Sequence, residues 1–171
     1  MRSAAKTGLR ALAVLALTAS AASAVPGVAT AAPANSNGTN QIHTFVGKCL
    51  DVWDGSVNDG AGIDQWTCDG NSNQQFTLVP TNNGTYQIHT FVGKCLDVWD
   101  GSVNDGAGID QWTCDGNSNQ QFTLVPTNNG TYQIHTFVGK CLDVWDGSVN
   151  DGAGIDQWTC DGNSNQQFTL A

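Results

Sequence analysis

A block of 46 residues is repeated in tandem, with two complete copies and a third that is identical to them up to Leu170. The copies begin at Gln41, Gln87 and Gln133, and the third ends at Leu170, with Ala171 where the other copies have Val. A repeat of this length forms one supersecondary unit, which cannot bury its apolar face by itself. The three copies are therefore expected to share one core with threefold symmetry. Any site in one copy should recur in the others, which favours a multivalent binding protein over an enzyme with one active centre.

The chain before the repeats has the layout of a secretory signal peptide. Three basic residues and no acid precede an apolar run over 11–25, and residues 22–24 and 29–31 each fit a small-residue cleavage site. That run is too short to span a bilayer comfortably. The Ala-rich segment is similar to signals of high-GC Gram-positive bacteria, so we expect a secreted, extracellular bacterial protein. The predicted organisation is a signal peptide over 1–31, a short polar linker over 32–40 and one folded domain over 41–171.

The repeats are strongly acidic. They contain fifteen Asp, no Glu and only three bases, Lys48, Lys94 and Lys140, which give a net charge of −12 for residues 41–171. Such a surface repels nucleic acid, anionic lipid and acidic polysaccharides. We therefore expect a neutral or cationic partner, with no nucleic-acid binding and no insertion into a membrane.

Each copy carries two cysteines and one histidine. In an exported protein disulfides are the default, and the identity of the three copies favours the pairing that closes each copy on itself. Zinc is disfavoured because a copy has no Cys-x-x-Cys motif and too few ligands for a tetrahedral site. We predict no metal and no cofactor. The cysteines are Cys49, Cys68, Cys95, Cys114, Cys141 and Cys160.

No segment of the repeat has the apolar period of a helix. Short β-prone runs alternate with Gly-, Asn- and Asp-rich turns, and we predict four strands in the first copy, over 41–46, 49–53, 63–67 and 74–79. Three copies then give about twelve strands. An all-β β-trefoil with pseudo-threefold symmetry is the natural closed arrangement of three such units. A β-propeller is the alternative, but three blades are too few to close a ring.

Three short motifs recur in every copy. In the first they are Gly-Lys-Cys-Leu-Asp-Val at 47–52, Ile-x-x-Trp-x-Cys at 63–68 and Asn-Gln-x-Phe at 73–76. Together they resemble the ricin-type β-trefoil lectin repeat (carbohydrate-binding module family 13), with Phe replacing Trp in its Gln-x-Trp signature. The cysteine spacing is similar to the intra-repeat disulfide of that family. The resemblance covers residues 35–171 and implies a β-trefoil that binds sugars.

The resemblance also implies which side chains bind the sugar. Asp51 accepts hydrogen bonds from adjacent hydroxyls, Trp66 stacks on the C–H face, Asn73 binds a hydroxyl and Gln74 supports Asp51. Asp64 stands where many members have Gln, and an ionised Asp cannot donate, so this departure bears on the expected galactose- or xylose-like preference. The equivalent residues are Asp97, Asp110, Trp112, Asn119 and Gln120 in the second copy, and Asp143, Asp156, Trp158, Asn165 and Gln166 in the third.

The segment after the second predicted strand lies outside these motifs. Trp53 either widens the stacking platform or covers the loop over 54–62. That loop superficially resembles a calcium-binding loop, but Asp59 occupies the position where an EF-hand requires Gly and no bidentate Glu follows. We predict no calcium site.

Catalysis is not expected. Glycosidases use paired carboxylates, but Asp51, Asp54 and Asp64 are expected to stay ionised in an open pocket, which leaves no general acid. His43 is expected to be a half-exposed strand residue. The sequence therefore predicts a secreted, monomeric lectin with up to three equivalent sites for neutral mono-, oligo- or polysaccharides. The alternatives are a protein-binding β-trefoil such as a protease inhibitor, and the targeting module of a glycoside hydrolase.

Overall fold

Short strands alternate with glycine-bearing turns along all three copies. The computed structural model describes residues 38–171, and no helix within this range is long and apolar enough to cross a membrane. The predicted signal peptide and residues 32–37 of the predicted linker lie outside the described residues. The strands are β1 (Thr39–Asn40), β2 (Ile42–His43), β3 (Cys49–Val52), β4 (Ala61–Trp66), β5 (Phe76–Pro80), β6 (Tyr86–His89), β7 (Cys95–Val98), β8 (Ala107–Trp112), β9 (Thr123–Pro126), β10 (Tyr132–His135), β11 (Cys141–Val144), β12 (Ala153–Trp158) and β13 (Thr169–Leu170).

Two 3-10 helices interrupt the strands of each copy where the sequence predicted extended chain or loop. In the first copy, one of them removes Trp53 from the second predicted strand and the other removes Gln74 from the fourth. The first predicted strand also ends before residue 46, because the backbone N–H of Gly47 donates to Thr44 O at 2.8 Å and closes a turn. The 3-10 helices are Trp53–Gly55, Ser72–Gln74, Trp99–Gly101, Ser118–Gln120, Trp145–Gly147 and Ser164–Gln166.

Strands β1 and β2 together correspond to the single strand β6 of the second copy. This division accounts for thirteen strands where about twelve were predicted. Asn40 of β1 pairs with Phe76 of β5. Residues 39–40, predicted to be linker, are therefore part of the fold.

The first and fourth strand positions close a six-stranded barrel. The fourth strand of each copy pairs with the first strand of the next, in the pairs β5–β6, β9–β10 and β13–β2. Within a copy, the same two positions meet through β1–β5 and the bridges Tyr86–Phe122 and Tyr132–Phe168. The barrel closes where Gln41 and Ala171 exchange backbone hydrogen bonds of 2.9 and 3.0 Å.

The second and third strands form the hairpins β3–β4, β7–β8 and β11–β12. The third strands of the hairpins also pair with one another in a ring, β4 with β8, β8 with β12 and β12 with β4. A closed barrel with a ring of three hairpins is a β-trefoil, as predicted. The propeller alternative is wrong because strands of different copies share the barrel.

The apolar side of these strands forms one shared core. Leu50 and Val52 alternate inward along β3, and Phe76 and Leu78 do so along β5; all four are fully buried. Burying a side chain of this size contributes about 1.5–3 kcal/mol. Phe76, which replaces the Trp of the family signature, has no exposed surface.

Each copy is also tied to the next by a docked loop. The buried side chain of Gln111 donates to the carbonyl oxygens of Ser56 and Asn58 at 2.8 and 2.9 Å. Asp59 of the same loop accepts from Lys94 Nζ at 2.6 Å and from the Thr113 backbone N–H at 2.7 Å. The same contacts link copies two and three, and copies three and one.

Disulfides close each copy on itself, as predicted. The pairs are Cys49–Cys68, Cys95–Cys114 and Cys141–Cys160, each with a sequence separation of 19 residues. Each bridge joins the start of the second strand to the chain just beyond the third, and so fixes the hairpin that carries Asp51 and Asp64.

Candidate functional site

One open pocket lies on each copy, beside the hairpin of its second and third strands. The three pockets have volumes of about 600, 450 and 610 Å³ in copies one, two and three. Four carboxylates, two indole rings, a glycine and two amides line each of them. In the first copy these are Asp51, Asp54, Asp64, Asp69, Trp53, Trp66, Gly55, Asn71 and Asn73.

The hairpin register sets the floor of the pocket. Asp51 on β3 is directly opposite Asp64 on β4. Because side chains alternate along a strand, the inward Leu50 and Val52 leave Asp51 on the pocket side. The sequence thus places two carboxylates next to each other on one face of the hairpin.

A tight turn after β3 builds one wall. Asp54 has φ 54° and Gly55 φ 59°, both in the left-handed region. A non-glycine residue is uncommon there, and Asp is among those that tolerate it best. The turn reverses the chain immediately after β3, and Trp53 is left 64 % exposed.

Two amides hold Asp51 in place. Asn73 Nδ2 donates to Oδ1 at 2.7 Å, and Gln74 Nε2 donates to Oδ2 at 3.0 Å. Burial raises the pKa of Asp51, while the hydrogen bonds from Gln74 and Asn73 oppose that rise. The carboxylate is therefore fixed in orientation, and its remaining lone pairs are available to a ligand. Asp97 and Asp143 are held by the equivalent Asn and Gln side chains of their own copies.

Gln74 supports the pocket from below. It is fully buried and does not line the pocket. Besides the bond to Asp51, its Nε2 donates to Thr67 O at 3.1 Å and its Oε1 accepts from the Asp69 N–H at 3.0 Å. It makes the contact with Asp51 that the family resemblance implied. Asn73 does line the pocket, but its Nδ2 is engaged by Asp51 and by the Val52 carbonyl.

Asp64 differs from its expected state. It is only 6 % exposed, and its Oδ1 accepts no hydrogen bond from any described residue. Burial raises its pKa to about 7, and the charges of Asp51 and Asp151 add to the effect. The expectation that it stays ionised, and so cannot donate, is wrong for this residue. Near neutral pH its protonated form is populated and can donate a hydrogen bond.

Trp66 forms the second wall and is 44 % exposed. One side of its ring packs on the preceding copy around the ring, where a Cβ atom at Gly152 would lie 3.7 Å from its Cζ3. Gly152 has φ 78°, where a larger residue is strained. The neighbouring copy thus holds the ring and leaves part of it open to the pocket. Trp112 and Trp158 pack in the same way on Gly60 and Gly106.

The family assignment follows from comparison with known proteins. The model of the ricin-type β-trefoil lectin domain matches residues 38–170, almost the whole described chain. The chain belongs to the ricin-type β-trefoil lectin domain family. Domains of this family are carbohydrate-binding modules and are typically non-catalytic. A search of the curated proteins found no match to this lectin domain.

Solved structures agree with the assignment. A designed threefold-symmetric protein, ThreeFoil, is 38 % identical, with a TM-score of 0.77, over 79 % of this chain and 99 % of its own. An exo-β-1,3-galactanase from Clostridium thermocellum is also 38 % identical, with a TM-score of 0.75, over 78 % of this chain but 30 % of the enzyme. A ricin B-like lectin from Macrolepiota procera, solved with lactose, is 18 % identical, with a TM-score of 0.69, over 81 % of this chain and 98 % of its own. At that identity it shows the fold alone.

Five of the nine lining residues of each pocket were not predicted as site residues. In the first copy, Trp53 has two interpretations from the sequence, Asp54 is considered only as a partner for catalysis, and Gly55, Asp69 and Asn71 lie between predicted strands. The Asn71 backbone N–H donates to Asp69 Oδ1 at 2.9 Å, which is an Asx turn. The spacing Asp-Gly-Asn is the sequence signal for such a turn and would have placed both side chains at the pocket edge.

The histidines lie away from the pockets. Within residues 38–171, the groups of three potential metal ligands that meet within 4.8 Å are His43 with Cys49 and Cys68 and the two equivalents. The cysteines of these groups are disulfide-bonded and offer no thiolate. The pocket carboxylates form no such group.

The raised pKa of Asp64 predicts how the stability of the lectin domain depends on pH. The ordinary pKa of Asp is 3.8, and the pKa values of Asp64, Asp110 and Asp156 in the folded state are about 7. At pH values between these two, the folded state binds more protons at these residues than the unfolded chain does. The free energy of unfolding should therefore fall as pH rises through this range. Burial lowers the pKa of His89 and His135, which acts in the opposite direction.

Urea unfolding from about pH 4 to about pH 8 separates the two effects when the triple variant Asp64→Asn, Asp110→Asn, Asp156→Asn is measured alongside. We expect the variant to lose most of the decline, to keep the part that comes from the raised pKa values of Asp51, Asp97 and Asp143, and to retain the histidine contribution. An unchanged pH profile in the variant would show that these carboxyls are ionised throughout the range.

Proposed function

We propose that this domain is a secreted, monomeric lectin with three equivalent sugar pockets. One observation carries the proposal: a carboxylate held by two amide donors, Asp51, lies in the same pocket as a half-exposed indole, Trp66. A sugar ring offers hydroxyls to the first and a C–H face to the second. The barrel closes within one chain, which supports a monomer.

A galactose- or xylose-like ring is the ligand that we favour. One similar structure, 38 % identical, is named an exo-β-1,3-galactanase, which supports a galactose-like ligand. The match to part of a galactanase also supports a second role, in which such a domain directs a glycoside hydrolase to its polysaccharide.

Threefold repetition predicts avidity. A single shallow sugar pocket binds with a dissociation constant of about 10⁻³ to 10⁻⁴ M. Three pockets on one rigid body are expected to bind an immobilised galactan or xylan about 100-fold more tightly than the monosaccharide. Surface plasmon resonance on polysaccharide surfaces, with competing monosaccharides, measures this ratio.

The identical copies supply an internal control, because one, two or three pockets can be disabled separately. Affinity for the polymer should fall in steps and reach the single-site value when one pocket remains. Binding of the polymer and of the monosaccharide with equal affinity would refute multivalency. If the folded protein binds no neutral glycan on a broad array, the proposed lectin function is refuted.

The exposed Trp53 predicts dependence on the length of the sugar chain. Trp53 and Trp66 line the same pocket, so a ligand longer than one ring can contact both. Replacing Trp53, Trp99 and Trp145 with Ala should weaken oligosaccharide binding about tenfold and change monosaccharide binding little, since stacking contributes about 1 kcal/mol or more. Titration calorimetry with a series of increasing chain length tests this.

A matched control is the triple Ala variant at Val57, Val103 and Val149, which are 58 % exposed and line no pocket described here. We expect it to bind as the wild type does. If the Trp variant instead loses thermal stability and keeps its affinity for long chains, Trp53 covers the loop over 54–62 and is not part of the platform.

A further inference from the structure

The negative charge of the domain is concentrated in the three pockets. Each copy has five aspartates, and four of them line its pocket. The fifth pairs with the single lysine of the next copy, as in Asp59–Lys94 at 2.6 Å, Asp105–Lys140 at 2.6 Å and Asp151–Lys48 at 2.5 Å. These pairs cancel, so the formal net charge of −12 over residues 41–171, with every Asp counted as ionised, comes from the pocket carboxyls.

Among residues 38–171, no basic side chain lines any of the three pockets. Within each pocket, one carboxyl is buried and incompletely paired. Asp64, Asp110 and Asp156 are 4–6 % exposed, and the Oδ1 atom of each accepts no hydrogen bond from the described residues. A buried acceptor without a donor is costly, and one that carries charge is more so. The Oδ1 atoms themselves are enclosed, so the oxygen that a ligand can reach is Oδ2 of the same pocket-lining carboxyls. A donor on the ligand, above all a cationic one, would pair with it.

The arrangement suits an organic cation better than a metal ion. A metal ion needs several ligand oxygens within one coordination sphere, and the pocket carboxylates are not among the groups of three potential ligands that meet within 4.8 Å in residues 38–171. They are spread around a pocket of about 450–610 Å³ that also holds two indole rings. Indole faces attract ammonium groups as well as C–H groups.

We propose that the three pockets select hexosamines, sugars that carry a free ammonium group, over the neutral and N-acetylated forms of the same ring. The proposal rests on the sugar-binding function proposed above and defines its ligand class more narrowly. Asp64 and its two equivalents are the residues that accept the ammonium hydrogen bond.

The preference follows from charge pairing. An ammonium-to-carboxylate hydrogen bond is roughly twice as strong as a bond between neutral groups. Burial and the charge of Asp51 raise the pKa of Asp64 to about 7, and a bound ammonium favours its ionised form because it offsets the repulsion between these two residues, which lie opposite each other on the hairpin. N-acetylation removes the charge and retains the ring. The acidic pocket thus distinguishes two ligands that differ only at this nitrogen.

Titration calorimetry with matched methyl glycosides tests the proposal at pH 7. The ligands are the 2-amino, 2-acetamido and 2-hydroxy forms of galactose and of glucose, with ethanolamine as an ammonium alcohol that has no ring. We expect the 2-amino form of at least one series to bind about tenfold more tightly than its 2-acetamido form. The ratio should decline between about 0.01 M and about 1 M salt because the charges become screened.

Two triple variants locate the charge responsible. Asp64→Asn with its equivalents should reduce the ratio of the two affinities to below about threefold. Asp54→Asn with Asp100→Asn and Asp146→Asn removes three charges at the pocket rim, at positions with φ 54° where Asn is also tolerated. We expect a smaller reduction in that variant, and it remains informative if the buried substitution fails to fold.

The outcomes separate the two proposals. A neutral sugar bound at least as tightly as its amino form would overturn the hexosamine preference and leave the lectin function intact. Ethanolamine bound as tightly as the amino sugars would also overturn it, since charge without the ring would then suffice. No binding of any glycoside, neutral or cationic, would overturn both.

Discussion

Loss of polysaccharide binding is the expected result of replacing Asp51, Asp97 and Asp143 with Ala. Each of these carboxylates is held by two amide donors and lies in the pocket with its remaining lone pairs unoccupied. A hydrogen bond to a charged group contributes about 1.5–3 kcal/mol, or about 10- to 100-fold per pocket. With all three pockets affected, the gain from multivalency is lost as well, and binding should fall below detection on a polysaccharide surface.

The same change has a cost in stability that the sequence did not reveal. Gln74 is fully buried, and removal of Asp51 leaves its Nε2 with only the Thr67 carbonyl. We expect a decrease of about 1–3 kcal/mol in the free energy of unfolding for each copy. Thermal unfolding of the variant should therefore be followed by circular dichroism. Binding is then measured at a temperature where the variant is folded.

The Asp54→Asn triple variant is the matched control, because it removes the same number of charges from the pocket and disturbs no amide network. It should keep most of the affinity for a neutral polysaccharide. Equal loss in both variants would assign the effect to the overall charge of the pocket. Retained binding in the Asp51 variant would remove that carboxylate from the site.

Removal of the disulfides is expected to unfold the domain. Each bridge has a sequence separation of 19 residues. By reducing the entropy of the unfolded chain, it stabilises the folded state by about 3 kcal/mol. Three bridges together contribute about as much as the whole net stability of an ordinary domain, roughly 5–15 kcal/mol. Reduction should therefore lower the urea midpoint severely, and a variant without any of the six cysteines should be largely unfolded.

The copies allow this contribution to be divided into steps. Cys49→Ala with Cys68→Ser removes one bridge, and the equivalent pairs can be added one at a time. Each step should lower the free energy of unfolding by a similar amount. The slope against urea should increase slightly, because the unfolded chain exposes more surface when a bridge is absent. A variant lacking all three bridges that unfolds at the wild-type midpoint would show that the shared core suffices.

The fold was predictable because the tandem repeat and the short motifs both point to a threefold all-β barrel. Asp51 and Trp66 were predictable for the same reason, since the motifs that contain them have a known counterpart. Asp64 was identified as a site residue, but its protonation was not. Its pKa depends on burial, on the charge of Asp51 and on the charge of Asp151, which lies in another copy.

Other features depend on contacts that the sequence of one copy does not encode. Gln65, which follows Asp64 in the chain, is buried and donates to the carbonyl groups of residues 148 and 150 in the third copy. The exposure of Trp53 depends on the left-handed conformation of Asp54. A pattern of alternating apolar residues does not predict that conformation. Both were missed because their causes are local strain and inter-copy packing.

Closure of the barrel between Gln41 and Ala171 also limits how many copies a chain of this kind can use. The first and third copies are held together here by strand pairing and by two backbone hydrogen bonds. The other neighbouring copies are in addition connected by the polypeptide chain. A fourth copy would find no free strand edge and would remain outside the ring. A chain of two copies would leave a gap that only a copy from another molecule could fill. The number of repeats in a monomer is therefore fixed at three by geometry, and a change in copy number should appear first as a change in oligomeric state.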